Sequence, residues 1–232
     1  MLQRTLRHLS ATACLLLALA APAHAGPDTY ALDPVHTRVL VAVDHAGFSS
    51  ALGTLSGATG TLVFDPDDWS SARVEVEIPV ARLDFGDEAW NRATLARNLL
   101  DTDTHPTASF VSTRVVPVDA RRAIIHGLLT LRGSSREVAL EVVLNSVRRH
   151  PLPPFRRTVG FSAATTLSRS DFGVSAWKSM IGDVVTLRIE AEATRSRAEA
   201  DTDTDTDDTP SADPAAQSEA ESSPTPDPEP LP

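Results

Sequence analysis

Apolar and polar residues alternate along most of the middle of the chain. Residues 73–78 (RVEVEI) alternate charged and apolar side chains, so Val74, Val76 and Ile78 share one face of a strand. This period of two is typical of antiparallel sheets with one dry face and one solvated face. The same period recurs at Val39, Val41 and Val43; at Val138, Leu140, Val142 and Leu144; at Val159, Phe161 and Ala163; and at Val185, Leu187, Ile189 and Ala191.

Turn-forming residues separate these segments at short intervals. Residues 65–68 (DPDD) and 150–154 (HPLPP) are two such turns. Gly53, Gly57 and Gly60 fall within one strand-like stretch, where glycine marks a bulge or a sharp bend. Bends of this kind allow a sheet to curl and close on itself.

One segment has helical spacing instead. Asp87 is a suitable N-cap, and Trp90, Ala93, Ala96 and Leu100 recur at the spacing of one helix face. We therefore predict an all-β fold, a closed antiparallel barrel of about eight strands with one helix inserted after the fourth or fifth strand. One helix is too few to cover a parallel sheet, and a β-sandwich is the alternative architecture.

The N-terminal segment has the pattern of an export signal. Residues 1–25 run from a short basic start through about a dozen apolar residues to Ala-His-Ala, the small-x-small pattern of a cleavage site. We expect cleavage before Gly26, because the apolar run is well short of the ~20 residues that a spanning helix needs. An uncleaved anchor is the alternative. Cys14, the only cysteine, lies in this segment, so the mature protein would have no disulfide or thiolate chemistry.

The C-terminal segment is strongly acidic. Residues 198–232 contain eleven acidic residues and no basic one, with many Pro, Ser and Thr, so we expect a disordered acidic tail. A solubilising role is the simplest interpretation, and metal collection or partner binding is the alternative. Residues 26–197, the predicted folded domain, carry 19 basic and 20 acidic residues. This balance leaves no electrostatic footprint for nucleic-acid binding.

The histidines do not indicate a metal site. His36 and His45 are nine residues apart, about 30 Å along a strand, so they cannot form a local clamp. We interpret each as bonding backbone at a strand end, and we predict no metal and no cofactor. The chain also lacks a Gly-x-Ser-x-Gly elbow and a glycine-rich phosphate loop, so no enzymatic activity is expected.

A series of short motifs runs through the middle of the chain: residues 30–36 (YALDPVH), 43–47 (VDHAG) with Gly53, 64–66 (FDP), 103–110 (DTHPTASF), 127–133 (GLLTLRG), 168–173 (SRSDFG) and 181–185 (IGDVV). Together they resemble the YceI family of exported bacterial proteins, which have a lipocalin-like barrel. No single motif is diagnostic, but their order and spacing over residues 29–195 are specific. The family commonly has an Arg-Asp step in the helix where this chain has Arg92-Ala93, and the acidic tail lies outside the family pattern.

The resemblance implies a binding protein that holds a polyisoprenoid or similar amphiphilic lipid in the barrel lumen and carries it through the periplasm. A barrel of about eight strands is just wide enough either to fill with side chains or to hold one small ligand. The many Val and Ala residues, with Gly127 and Ala163, favour an unfilled lumen. The alternative is a filled barrel, an envelope stress protein that acts through surface contacts with partners. A homodimer is neither required nor forbidden by the pattern.

The candidate ligand-binding residues are inward-facing apolar side chains and groups near one end of the barrel. For Arg169, Asp171 and Asp183 an ion pair that pins the last hairpin is one interpretation, and a contact to the ligand head group is the other. Trp177, Lys178 and Met180 lie in a long loop that caps the mouth or covers that end of the barrel. The candidate set is Val39, Val41, Val43, Phe64, Val76, Ile78, Phe110, Ile125, Leu129, Phe161, Phe172, Trp177, Met180, Arg169 and Asp171.

Overall fold

The structure is a computed structural model that describes residues 26–196. The predicted signal peptide (1–25) and acidic tail (198–232) lie outside the described residues. The described part contains ten strands and one α-helix, with three short 3₁₀ turns at Trp69–Ser71, Val80–Arg82 and Arg169–Phe172. The strands are β1 (Asp28–Leu32), β2 (Arg38–His45), β3 (Ser49–Ser56), β4 (Thr59–Phe64), β5 (Arg73–Pro79), β6 (Thr107–Pro117), β7 (Arg122–Leu131), β8 (Ser134–Arg149), β9 (Arg157–Ser168) and β10 (Ile181–Arg195), and the helix is α1 (Glu88–Leu95).

The ten strands form a closed antiparallel barrel with eight strand positions. From β4 to β10, consecutive strands pair in sequence order, and β10 pairs on its far edge with both β1 and β2. Strands β1 and β2 therefore follow one another along β10 and together occupy one strand position in the wall. Strands β3 and β4 occupy the next position, because β3 pairs with β2 and β4 pairs with β1. This arrangement confirms the predicted all-β barrel of about eight strands with one inserted helix.

Two interruptions make the eight positions into ten strands. Residues 33–37 turn between β1 and β2, and Asp33 and Thr37 both donate hydrogen bonds to the backbone carbonyl of Glu192 on β10. Between β3 and β4 the chain bends at Gly57. Its backbone φ is 78°, a value that residues with a side chain rarely adopt. The bend predicted from the glycines is thus present. It allows β4 to pair with β5 while β3 diverges.

The divergence of β3 leaves a gap in the wall that the connection between β5 and β6 covers. A single bridge between Thr54 and Asp84 joins β3 to this connection, through hydrogen bonds of 2.8 and 2.9 Å. Helix α1 follows, with Asp87 as its N-cap accepting a hydrogen bond from the Trp90 amide. The helix thus begins where the sequence predicts and follows the fifth strand.

The helix ends earlier than the spacing of Ala96 and Leu100 predicts. It stops at Leu95, and Ala96 is its extended C-cap. The chain then turns so that the Thr102 amide donates to the Leu95 carbonyl. Leu99 and Leu100 line the cavity from this turn. The apolar side chain of Leu100 is therefore explained by its place in the cavity wall and not by a longer helix. Among residues 26–196, no helix is long and apolar enough to cross a membrane.

Candidate functional site: an apolar cavity in the barrel

The barrel encloses a cavity of about 500 Å³. Its wall consists almost entirely of apolar side chains from the inward-facing positions of the strands. The period of two in the sequence produces this wall, because every second residue of a strand points to the same face. The volume lies within the usual range of small-molecule sites, roughly 300–1,000 Å³.

All but one of the predicted ligand-binding residues line this cavity. They come from six strands, from the 3₁₀ turn at Arg169–Phe172 and from the loop that follows it. Asp171 is the exception, because it is exposed and does not line the cavity. The lining residues of the predicted set are Val39, Val41, Val43, Phe64, Val76, Ile78, Phe110, Ile125, Leu129, Phe161, Arg169, Phe172, Trp177 and Met180.

The closed end of the cavity is where β1, β4 and the start of β9 meet. Tyr30, Phe64 and Trp69 are buried there, and Tyr30 is fully inaccessible to solvent. The ring of Trp69 lies edge to face against Phe64 and Phe161, with centroid distances of 5.1 and 6.1 Å. Packed aromatic rings of this kind are worth more than their buried area alone. This cluster closes the lumen on one side.

The opposite end, called the mouth below, is formed by the β2–β3 turn, residues 80–106, the β7–β8 turn and residues 169–180. His45, Phe85 and Trp90 line the cavity here, and the His45 ring lies 5.2 Å from that of Trp90. Trp177 and Met180 also line it, yet both remain exposed to solvent. Side chains at the mouth therefore contact both the cavity and water.

Arg169 holds the mouth together through backbone carbonyls rather than through an ion pair. Its guanidinium donates to the carbonyls of Val174 and Ala176 at 2.6 and 3.0 Å, and of Ile181 and Gly182 at 2.8 Å each. The side chain is only 6% exposed. These bonds attach the 3₁₀ turn to the start of β10, so the interpretation as an ion pair with Asp171 or Asp183 is wrong.

Asp183 has its own partners. Its carboxylate accepts hydrogen bonds from the Ser168 hydroxyl and, at 3.1 Å, from the Ser170 amide. The hydrogen bond from Ser168, followed by those from Ser170, lowers the pKa of Asp183 from its ordinary value. Asp183 therefore stays ionised and joins the end of β9 to the start of β10.

Gly127 does not leave the free space that its missing side chain suggests. A Cβ atom at this position would overlap the ring of Phe110 on the neighbouring strand. The space is therefore filled by Phe110, and the open volume of the cavity comes from Val and Ala positions elsewhere. Ala163 does line the cavity, as expected.

The histidines are placed differently from the expectation that each bonds backbone at a strand end. The side chain of His36 bonds the Asp33 carboxylate, with 2.7 Å between Nδ1 and Oδ2. His45 packs on Trp90 at the mouth. Within residues 26–196 the structure has no group of three or more His, Cys, Asp or Glu side chains that could hold a metal ion.

Sequence reasoning missed part of the site. Trp69 at the closed end, and Leu83, Phe85 and Leu99 at the mouth, line the cavity but were not predicted. All four lie outside the alternating strands, in the 3₁₀ turn or in the long connection that carries α1. Their large apolar side chains were the available signal, but no periodicity indicates which way a connection points.

The fold and the cavity define a closed antiparallel β-barrel with an apolar lumen. The chain belongs to the YceI-like family, because the model of the YceI-like domain matches residues 30–193. A UPF0312 protein of Pectobacterium atrosepticum is 30% identical over 175 residues, which cover 75% of this chain and 88% of the relative. A UPF0312 protein of Photorhabdus laumondii is 29% identical over 178 residues, covering 76% and 89%.

Solved structures share the fold at low identity. BcnA of Burkholderia cenocepacia superposes with a TM-score of 0.64 and 23% identity, over 70% of this chain and 99% of that one. A polyisoprenoid binding domain from Saccharophagus degradans, implicated in plant cell wall breakdown, has a TM-score of 0.57 and 10% identity, over 72% and 98%. At these identities the similarity establishes the architecture alone.

Proposed function

We propose that this protein is an exported carrier that holds one long-chain isoprenoid-type lipid, a polyprenyl or quinone-like molecule, in the barrel lumen. The observation that carries the proposal is the apolar cavity of about 500 Å³, closed by aromatic side chains at one end and lined at the other by side chains that are exposed to solvent. An unfilled lumen favours a carrier over a filled barrel that acts through its surface.

The composition of the cavity wall suits an alkyl or prenyl chain. Burial of apolar surface contributes about 25 cal/mol per Å², so roughly 300 Å² of buried ligand surface supplies about 7 kcal/mol. The loss of translational and conformational freedom on binding offsets part of this gain. An apolar tail therefore accounts for useful affinity without a charged contact inside the lumen.

The branched prenyl chain is favoured by the shape of the wall and by the structural relatives. Branched Val and Leu side chains from several strands line the cavity, and we expect the methyl branches of a prenyl chain to pack between them more closely than a straight chain does. The domain from Saccharophagus degradans that is described as polyisoprenoid binding has the same fold. This similarity supports the ligand class.

The carrier role is passive, and it belongs to the periplasm. The prenyl tail enters through the mouth, and the head group stays near Trp177 and Met180. Residues 1–25 have the pattern of a cleaved signal peptide, which supports export of the mature chain. The lining of the cavity is apolar, which supports binding rather than catalysis.

The decisive experiment is to load the delipidated mature protein with a series of polyprenols of increasing length. Native mass spectrometry should give one ligand per chain, with affinity rising until the chain outgrows the cavity. Straight-chain alcohols with equal numbers of carbon atoms serve as the matched control and should bind more weakly. Failure of every prenol and prenylated quinone to bind, in a protein whose circular dichroism shows the intact sheet, would refute the proposal.

A further inference from the structure

Several large apolar side chains around the mouth are exposed to solvent. Phe48, at the β2–β3 turn, is 92% exposed, and Trp177 is 58% exposed. Trp90 and Met180 are exposed as well. Exposed apolar residues are unremarkable when scattered singly, whereas a group around one opening indicates a surface that contacts an apolar partner.

Contacts within the mouth bring these residues together. The Ala46 amide, in the turn that carries Phe48, donates a hydrogen bond of 2.8 Å to the Met180 carbonyl. The Met180 amide in turn donates to the Trp177 carbonyl at 2.9 Å. On the other side of the turn, His45 packs on Trp90. The turn, the loop at 177–180 and the start of α1 therefore form one continuous rim.

The rim also carries the only lysine of the chain. Lys178 lies between Trp177 and Met180 and is exposed. A lysine can lay its aliphatic stem along an apolar surface while its ammonium group reaches water or phosphate. Tryptophan is favoured at membrane–water interfaces, since its ring is apolar and its N–H group is polar.

We propose that this rim, formed by Phe48, Trp90, Trp177, Lys178 and Met180, docks on a phospholipid bilayer. In the docked state the aromatic side chains enter the interfacial layer and the mouth faces the acyl chains. The lipid then moves between bilayer and lumen without crossing water. This inference rests on the proposed function and adds the membrane as the partner of the mouth.

The bilayer fits the rim better than a protein partner does, because rim and cavity share residues. Trp90, Trp177 and Met180 line the cavity and are exposed at the same time. A protein seated on them would cover the route by which the ligand enters. A bilayer supplies the ligand on that route, and each apolar group removed from water there favours association.

The charges near the rim indicate that apolar insertion drives docking. Lys178 contributes one positive charge, while the exposed carboxylates of Asp44 and Asp183 lie near the same end of β10. Attraction to anionic lipid is therefore weak, and docking should survive added salt.

The test measures co-sedimentation of the mature protein with phosphatidylcholine vesicles, with and without phosphatidylglycerol. Phe48→Ser should weaken vesicle binding roughly tenfold, since it removes the most exposed apolar side chain of the rim. Phe155→Ser is the matched control: Phe155 is also exposed, in the β8–β9 connection at the opposite end of the barrel. This control should bind vesicles like the parent.

Prenol binding in the absence of vesicles is measured on the same three proteins. A parent that takes up prenol but does not bind vesicles overturns the docking proposal and leaves the carrier proposal standing. A parent that binds vesicles but takes up no prenol overturns the carrier proposal and leaves the binding of the rim to the bilayer standing. If Phe48→Ser binds vesicles like the parent and only loses self-association in analytical ultracentrifugation, the rim is an interface between two copies, and docking is overturned.

Discussion

The ring of Phe110 on β6 lies over Gly127 on β7. A Cβ atom at position 127 would overlap ring carbons of Phe110 and crowd the backbone carbonyl of Val111. Both Phe110 and Gly127 are buried in the barrel wall. The glycine therefore allows one strand to accept a large aromatic side chain from its neighbour, which fixes where the lumen is filled.

The first prediction concerns this pair. Gly127→Ala should lower the free energy of unfolding by roughly 1–3 kcal/mol, because the ring or the β6 backbone must shift to admit the new methyl group. Urea denaturation measures the change. Gly160→Ala on β9 is the matched control, since the nearest atoms to its added Cβ are at 3.9 and 4.0 Å. The control should change stability by less than about 1 kcal/mol, and equal losses in both variants would contradict the prediction.

The strands of the barrel were predictable because their signal is local. Val74, Val76 and Ile78 alternate with charged residues, and the alternation alone decides which side chains face inward. The N-cap at Asp87 was equally local, since a carboxylate three residues before an amide can bond it directly. Most of the cavity wall follows from signals of this kind.

The remaining features depend on which strand lies next to which. Phe110 covers Gly127 only because of the register between β6 and β7, and that register is set by the whole sheet. Likewise, the carbonyls that Arg169 bonds belong to residues five to thirteen positions further along the chain. A charged residue in the sequence suggests a carboxylate partner, whereas here the backbone supplies the acceptors.

The second prediction tests the lumen. Val76 lines the cavity from β5, so Val76→Trp should fill part of its volume and reduce prenol binding at least about tenfold. Isothermal titration calorimetry or native mass spectrometry measures the affinity. The indole ring occupies the space that a prenyl chain would otherwise take, so the loss should be greatest for the longest prenols.

The control for this variant is Val143→Trp. Val143 lies on β8, is exposed and does not line the cavity, so the same substitution places the indole ring in solvent. Prenol affinity should stay within about twofold of the parent, since no apolar contact to the ligand changes. Equal loss in both variants would show that tryptophan acts through general destabilisation, and equal binding by Val76→Trp and the parent would place the ligand elsewhere.

The third prediction concerns the attachment of the mouth. Arg169→Lys should lower the free energy of unfolding by about 2–4 kcal/mol, because an ammonium group cannot reach carbonyls of both the Val174–Ala176 segment and the start of β10. Hydrogen exchange should increase at residues 174–182. Arg92→Lys in α1 is the control, since Arg92 is exposed and forms a surface pair with Glu88. That change should cost less than about 0.5 kcal/mol, and unaltered exchange at 174–182 in Arg169→Lys would contradict the clamp.

The fourth prediction concerns the pH dependence of the turn between β1 and β2. Burial of Asp33 opposes its ionisation, but hydrogen bonds from the side chain of His36 and from the backbone amides of Val35 and His36 outweigh it, so the pKa of Asp33 falls below 3.8. The same carboxylate raises the pKa of His36 above 6.5, and Glu192 adds to this effect. The stability that the raised pKa of His36 contributes is fully present below pH 6.5 and is lost as the pH rises through that raised value. The contribution of Asp33 is present above pH 3.8 and is lost as the pH falls through its lowered pKa.

The test of this pair is the variant Asp33→Asn. It should return the pKa of His36 toward 6.5 in an NMR titration of the imidazole protons. Asp44→Asn at the mouth is the control and should leave the pKa of His36 unchanged. A His36 titration that is the same in Asp33→Asn and the parent would show that the pair does not exist in solution.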